Sequence, residues 1–417
     1  MRIVVYPHLM TVGGSQLNAI ELAAAVRDRG HEVTVFAAEA GPLGETVERL
    51  GLPLVIAPRH TKRPSIPIAR ALRVLCRREQ IDIVHGYEWP PCLEAFYGPL
   101  LCDGVTVGCT VMSMSVAPFI PSSVPLIVGT EQIAAAARTH RAAPVRVIEP
   151  PVDTESNHPA IDGSAFRAEY GLGAGPTIVL VSRLVVALKL EGIERAMRAM
   201  ALLAPDTGAQ LVVVGDGPAR EQLARVAAEV NAETGAATVT MTGELSDPRP
   251  AYAAADVLLG MGGSALRAMA FAKPVVVLGE LGFAQVFSPE TVDVFLWQGF
   301  YGLGDGDQRA EPFADLLRPL VTDRERRVEL GTYARRFVES RCSLVAAGER
   351  QEALYREWLT VHPRRGILVA EGAGTAAQVL LGKVRQRLDR WRGREASEDF
   401  NTVTEIAKTA ALAERSH

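Results

Sequence analysis

Two cations open the case for chemistry in this sequence. Ser182-Arg183-Leu184 is followed by Lys189 and Glu191-Gly192. A planar arginine fork grips phosphate oxygens, and a lysine ammonium adds a point charge, so the pair suits a diphosphate. The plain alternative is two surface charges in a loop. A second stretch, Gly260-Met261-Gly262-Gly263-Ser264, leads into Ala265-Leu266-Arg267-Ala268-Met269-Ala270. Glycines admit a backbone close to a ligand, and a helix that starts there offers free N–H groups to an anion. An ordinary helix entry capped by Ser264 accounts for the same residues. Gly13-Gly14-Ser15 admits a sugar or phosphate in the same way, or is a simple turn. His85 ends the run Ile81-Asp82-Ile83-Val84-His85 beside Tyr87, Glu88 and Trp89, and is equally readable as a site residue or a core residue. No GxSxG, P-loop, HExxH or metal-ligand spacing of histidines and carboxylates occurs.

These residues need strand ends and helix starts to hold them, and the chain alternates such elements throughout. Apolar runs at 3–6, 32–37, 54–57, 81–85, 105–111 and 126–129 read as strands, with helices at 16–29, 67–78 and 131–139. Glu149-Pro150-Pro151-Val152-Asp153 has linker character. A second series follows: strands at 177–182, 210–214, 239–242, 257–259 and 274–278, with helices at 193–203 and 219–230. The expected fold is α/β, with two Rossmann-like domains facing a central cleft. The expected boundaries are 1–160, 161–340, and 341–417 for helices that cross back to the first domain and end in a basic tail.

Composition narrows the function. Of 417 residues, 48% are hydrophobic, 22% charged and 6% aromatic, with net charge −4, which excludes general disorder and a nucleic-acid field. The five cysteines are odd in number and form no CxxC pair, so reduced thiols in a cytoplasmic protein are expected. The start resembles a first strand and no signal peptide. No continuous run of about 18 apolar residues occurs, so no transmembrane helix is expected. Residues 383–394 carry five arginines and a lysine around Val384, Leu388 and Trp391. They are read as a solvated face packing on the protein or on a second copy, with a membrane-surface helix as the alternative.

The order of motifs resembles the retaining GT-B nucleotide-sugar glycosyltransferases of the family 4 type, over roughly residues 1–359. The resemblance rests on Gly13-Gly14, the run ending at His85, Ser182-Arg183-Leu184 with Lys189 and Gly192, Val214-Gly215-Asp216-Gly217-Pro218, Thr242-Gly243-Glu244, Ala255-Asp256-Val257, Arg267-Ala268-Met269-Ala270 and Lys273-Pro274-Val275-Val276. It implies a nucleotide-sugar donor held mainly by the C-terminal domain, with Arg183 and Lys189 neutralising its diphosphate. Gly13, Gly14, Gly262, Gly263, Ser264, Arg267, Glu244 and Leu245 fall on the donor side, and His85 and Met112 on the acceptor side. It further implies retention of anomeric configuration, with no metal and no separate cofactor. Two positions depart from the pattern. Arg267 stands where a ribose-contacting glutamate is usual, with Leu259 at its partner position. Met112 stands at or near a usual histidine, and Glu280 is a candidate substitute contact. The expected activity is sugar transfer to a small-molecule acceptor in natural-product (antibiotic) biosynthesis. A thiol acceptor, as in lincosamide biosynthesis, is one variant; a catalytically silent GT-B binding or partner protein and a nucleotide-sugar isomerase are the alternatives.

Overall fold

The computed structural model describes residues 1–11, 13–58 and 63–391, with side chains as far as Val384. Most of the basic run at 383–394 therefore lies outside the described side chains.

Near-continuous runs of β-branched and aliphatic residues form strands buried on both faces, as parallel sheets flanked by helices require. In the first sheet these are β1 (Arg2–Tyr6), β2 (Glu32–Ala37), β3 (Leu54–Ile56), β4 (Ile83–Tyr87), β5 (Thr106–Val111), β6 (Leu126–Val128) and β7 (Val145–Val147). Their order is β3-β2-β1-β4-β5-β6-β7, and every pairing is parallel. The second sheet contains β8 (Thr177–Val181), β9 (Gln210–Val214), β10 (Val239–Gly243), β11 (Val257–Gly260), β12 (Val275–Leu278) and β13 (Ala284–Val286). Its order is β10-β9-β8-β11-β12-β13, parallel except for the antiparallel edge strand β13.

The chain divides into two units. One holds Met1–Pro151 and Leu344–His417, the other Val152–Ser343. The first boundary thus falls at 151/152 and not at 160/161. Residues 152–157 belong to the second unit because Val152 bridges to Ser343 and Arg335 donates to the carbonyls of Thr154 and Asn157. At Leu344 the chain returns to the first unit.

Local chemistry sets the helix ends. Ser65 and Thr130 accept from the N–H three residues on, capping the helices Ile66–Glu79 and Glu131–Arg138. The returning helix Leu344–Trp358 packs on the helix Gly14–Asp28 and against β5, where Gly108 is obligatory: a Cβ there would lie 2.0 Å from the Trp358 ring.

Candidate functional site

Each sheet has one point where neighbouring strands lead off in opposite directions, and ligands of parallel α/β sheets bind beyond the carboxyl ends there. In the second sheet this point lies between β8 and β11. The loop after β8 carries Arg183 and Lys189; the loop after β11 carries Gly262 and Gly263.

The β8 loop is held tightly. Gly215 and Gly217 have φ of 141° and 153°, and a Cβ on either would lie within 2.4 Å of the Ser182 or Leu184 carbonyl oxygen. Leu184 N–H donates to the Asp216 carbonyl. Leu188 sits at φ 69°, a costly conformation for a leucine. Its N–H is held by Glu280 Oε1 at 3.1 Å, and Tyr301 OH donates to Glu280 Oε2 at 2.6 Å. Glu280 is therefore a brace for the loop that delivers Lys189, and both of its oxygens are occupied.

Arg183 is exposed and Lys189 half-buried at the start of the helix Leu190–Thr207. Among the described residues neither makes an ion pair or a side-chain hydrogen bond. Burial, and then the Arg183 charge, push the Lys189 ammonium below its ordinary pKa. Two cations thus stand close enough for the charge of one to disfavour that of the other, an arrangement that an anion would relieve.

The helix Gly263–Ala270 buries Ala265, Leu266, Ala268, Met269 and Ala270. Gly262, at φ 55° and ψ −132°, leads into it, and a Cβ on Gly262 or Gly263 would meet nothing within 4 Å. Open space stands beside both glycines, at the end of the helix whose N–H groups lack intrahelical partners. Ser264 turns inward: its Oγ donates to the Met261 carbonyl and accepts from the Met261 N–H. Arg267 is half-buried and makes no ion pair among the described residues; its charge opposes the rise that burial imposes on the Tyr252 phenol, which still reaches about 12. Glu244 is exposed, and Leu245 packs against the core of this unit.

In the first sheet the switch lies between β1 and β4. Gly13 precedes the helix Gly14–Asp28, and a Cβ on Gly14 would meet nothing within 4 Å. The centre of this end is Glu88, which residue-by-residue reading passed over. Its backbone is left-handed at φ 65°. Its carboxylate accepts from Ser15 Oγ (3.2 Å), Met112 N–H (2.9 Å) and Ser113 Oγ (3.0 Å). One side chain thus ties the start of the helix that follows β1 to the loops after β4 and β5. Burial raises its pKa, opposed by those hydrogen bonds. The available signal was its position, directly after a strand end in Tyr87-Glu88-Trp89. Met112 is half-buried on the loop after β5.

His85 must be corrected. It is fully buried, with Nδ1 2.8 Å from Tyr355 OH, Nε2 2.6 Å from Thr110 Oγ1, and the rings of Tyr87, Tyr355 and Trp358 around it. Burial lowers its pKa to about 3, so it is neutral. It is a core histidine under the returning helix and cannot reach an acceptor. His85→Ala is expected to cost about 3 kcal/mol in urea unfolding, a buried ring and two hydrogen bonds being lost, while diphosphate affinity stays unchanged. Because its folded pKa is depressed, its contribution is present above about pH 6.5 and is lost as pH falls toward 3.

Among the described residues no group of three or more His, Cys, Asp or Glu side chains is placed to hold a metal ion. A cavity of about 230 Å³ lined by Leu100, Val107, Trp358 and Leu368 lies near the amino-terminal end of β5, away from the switch point of the first sheet.

Residues 12–111 match the family Glycosyltransferase Family 4, and residues 175–318 match Glycosyl transferases group 1. A GDP-mannose-dependent alpha-(1-6)-phosphatidylinositol monomannoside mannosyltransferase of Mycobacterium tuberculosis is 32% identical over 213 residues, covering 47% of this chain and 52% of that protein. The corresponding Mycolicibacterium smegmatis enzyme is 38% identical over 84 residues, covering 20% and 22%. The chain thus matches about half the length, or less, of these curated relatives. Among solved structures, a glycosyltransferase from Rickettsia africae has a TM-score of 0.69 at 16% identity, covering 86% of this chain and 99% of that one. HepE of Anabaena in complex with UDP has a TM-score of 0.66 at 16% identity, covering 86% and 100%. These likenesses show the fold. With the family 4 match in its first unit and the group 1 match in its second, the chain belongs to the GT-B glycosyltransferases of the family 4 type.

Proposed function

We propose that this chain transfers a sugar from a nucleotide-sugar donor, with retention of anomeric configuration and without a metal. The observation that carries the reading is the pair Arg183 and Lys189, without an acidic partner among the described residues, at the switch point of the second sheet. As the bond from the anomeric carbon to the diphosphate oxygen breaks, negative charge grows on the leaving group. Preorganised cations and helix N–H groups aimed at that oxygen lower the barrier. The acceptor oxygen, or sulfur, then bonds to the anomeric carbon and passes its proton to the departing diphosphate. Retention is supported by the family 4 type, which is generally retaining. The five cysteines, none in a disulfide, support a cytoplasmic setting.

The relatives are named for a phosphatidylinositol mannoside acceptor, so a glycolipid hydroxyl is the acceptor we put first. A small natural product, bearing a hydroxyl or a thiol, comes second, and no relative named above points to antibiotic biosynthesis. The silent binding protein is favoured by one observation, Arg267 in place of the usual glutamate.

The test is calorimetry and thermal shift of the purified chain with UDP, GDP, ADP and dTDP and their sugars. One diphosphate is expected to stabilise the protein by about 2.7 kcal/mol at a hundredfold excess over Kd. No response to any of them overturns the reading. Turnover of the matching sugar nucleotide separates enzyme from silent binder. Arg267→Glu then assigns the arginine: a gain in turnover makes it a lost contact, a loss gives it a role of its own.

A further inference from the structure

The helix Arg365–Trp391 is built inside out. One stripe holds it to the first unit. Leu368 is buried, Glu371 accepts from Ser122 Oγ (2.7 Å) and the Ser123 N–H (3.2 Å), and the Gly372 carbonyl accepts from Tyr97 OH (2.7 Å). Thr375 Oγ1 donates to the Phe119 carbonyl, and Lys383 Nζ to the Arg63 carbonyl. Its polar contacts face the protein.

Solvent meets the apolar side. Ile367, Val369, Leu380, Leu381 and Val384 are between 49% and 64% exposed. Between Arg365 and Lys383, Gln378 is the one polar side chain among the exposed residues. A surface helix of a water-facing protein has the opposite arrangement. Arg365–Val384 is in fact long and apolar enough to cross a membrane, with mean hydropathy 1.3 over its window and 17% of that window buried. No continuous apolar run marks it in the sequence, because Glu371 and several glycines interrupt the pattern.

We propose that this face seats the protein on an anionic lipid surface, lying in the interface and not crossing the bilayer. Crossing would strip the stripe from Leu368 to Lys383 of its partners. The charge that flanks the face in the sequence selects the occupant. Arg364 and Arg365 precede it, and Lys383, Arg385, Arg387, Arg390, Arg392 and Arg394 follow, with Asp389 as the acid among them. A second copy would set those cations against one another. A bilayer carrying anionic headgroups takes both the apolar stripe and the cations.

The inference goes beyond the catalytic reading, and its test uses no sugar nucleotide, so either can fail without the other. The full chain is sedimented with phosphatidylcholine vesicles containing about a third phosphatidylglycerol, and with phosphatidylcholine alone. Binding to the anionic vesicles is expected, and the double variant Leu380→Glu/Leu381→Glu should lose at least about tenfold with its thermal midpoint unchanged. A second variant, Arg385→Gln/Arg387→Gln/Arg390→Gln, should lose the preference for anionic over neutral vesicles. The proposal is overturned if the wild type stays in the supernatant, if the double variant sediments equally, or if light scattering shows a dimer that Leu380→Glu/Leu381→Glu dissociates without any effect on vesicles.

Discussion

Replacing Lys189 with alanine is expected to weaken binding of the donor diphosphate roughly 10- to 150-fold, the fold-change that corresponds to losing a charged hydrogen bond of about 1.5–3 kcal/mol. Arg183→Ala should do the same by calorimetry. In each variant kcat for the matching sugar nucleotide should fall as well, because charge on the leaving oxygen is greatest as the bond breaks. Stability should move the other way. Lys189 is half-buried beside Arg183 and its charged form is disfavoured there, first by burial and then by that arginine. Removing the ammonium relieves both, so Lys189→Ala should unfold at the same denaturant concentration as the wild type or higher. A variant that loses affinity by unfolding would show the reverse.

The same environment sets a pH dependence. A cation with a depressed pKa gives up its proton at lower pH than an ordinary lysine. Diphosphate favours the protonated form, so its binding is accompanied by proton uptake on the alkaline side. Affinity should therefore decline as pH rises through a midpoint below the usual lysine range, and Lys189→Arg should flatten that decline, since guanidinium stays charged. Titrations in two buffers of different ionisation enthalpy would read the proton uptake directly. Unchanged affinity in both alanine variants would remove the two cations from the site.

The second large effect is expected at Glu88. Glu88→Gln keeps the size of the side chain but replaces one acceptor oxygen with a donor amide. With the amide nitrogen in place of Oε2, Ser113 Oγ must turn from donor to acceptor; with it in place of Oε1, the Met112 N–H loses its partner. Leaving such a group unpaired costs about 1–3 kcal/mol. The larger consequence is geometric. The helix start after β1 and the loops after β4 and β5 meet on this carboxylate, and a shift of about 1 Å in substrate position lowers rates on the order of a hundredfold. kcat should fall by that order, with partial rescue in Glu88→Asp. The stability difference between wild type and Glu88→Gln should also depend on pH. Burial raises the folded pKa of Glu88 above the ordinary glutamate value. Its contribution is therefore full in acid, below the unfolded value, and is lost as pH rises through the folded one. Chemical denaturation at several pH values measures this. A difference that grows with pH would show that the three hydrogen bonds outweigh burial in setting the Glu88 pKa.

The alternation of strands and helices was legible in the chain itself. Parallel strands buried on both faces must be runs such as Val257-Leu258-Leu259 or Val275-Val276-Val277, and such runs announce themselves by composition alone. Arg183 and Lys189 were legible for a related reason: polar residues directly beyond a strand end have one place to go, the carboxyl edge of the sheet. The glycines at 215 and 217 were motif letters in the sequence, and the structure supplies their cause in the carbonyls of Ser182 and Leu184.

Contacts between distant parts of the chain were not legible. His85 closes the apolar run in the sequence as a site residue would, but it lies in the middle of β4, and a helix more than 250 residues later covers it with Tyr355 and Trp358. Glu88 is one acidic residue among many until a helix start and two loops converge on it. The short strands β7 and β13 exist because a neighbouring strand offers them partners, with too little local pattern to declare them. The helix Arg365–Trp391 looked like an ordinary charged tail because its buried side holds the polar residues. Sequence periodicity reports that a helix has two faces; only the packing of Leu368, Glu371 and Thr375 decides which of them is turned to water.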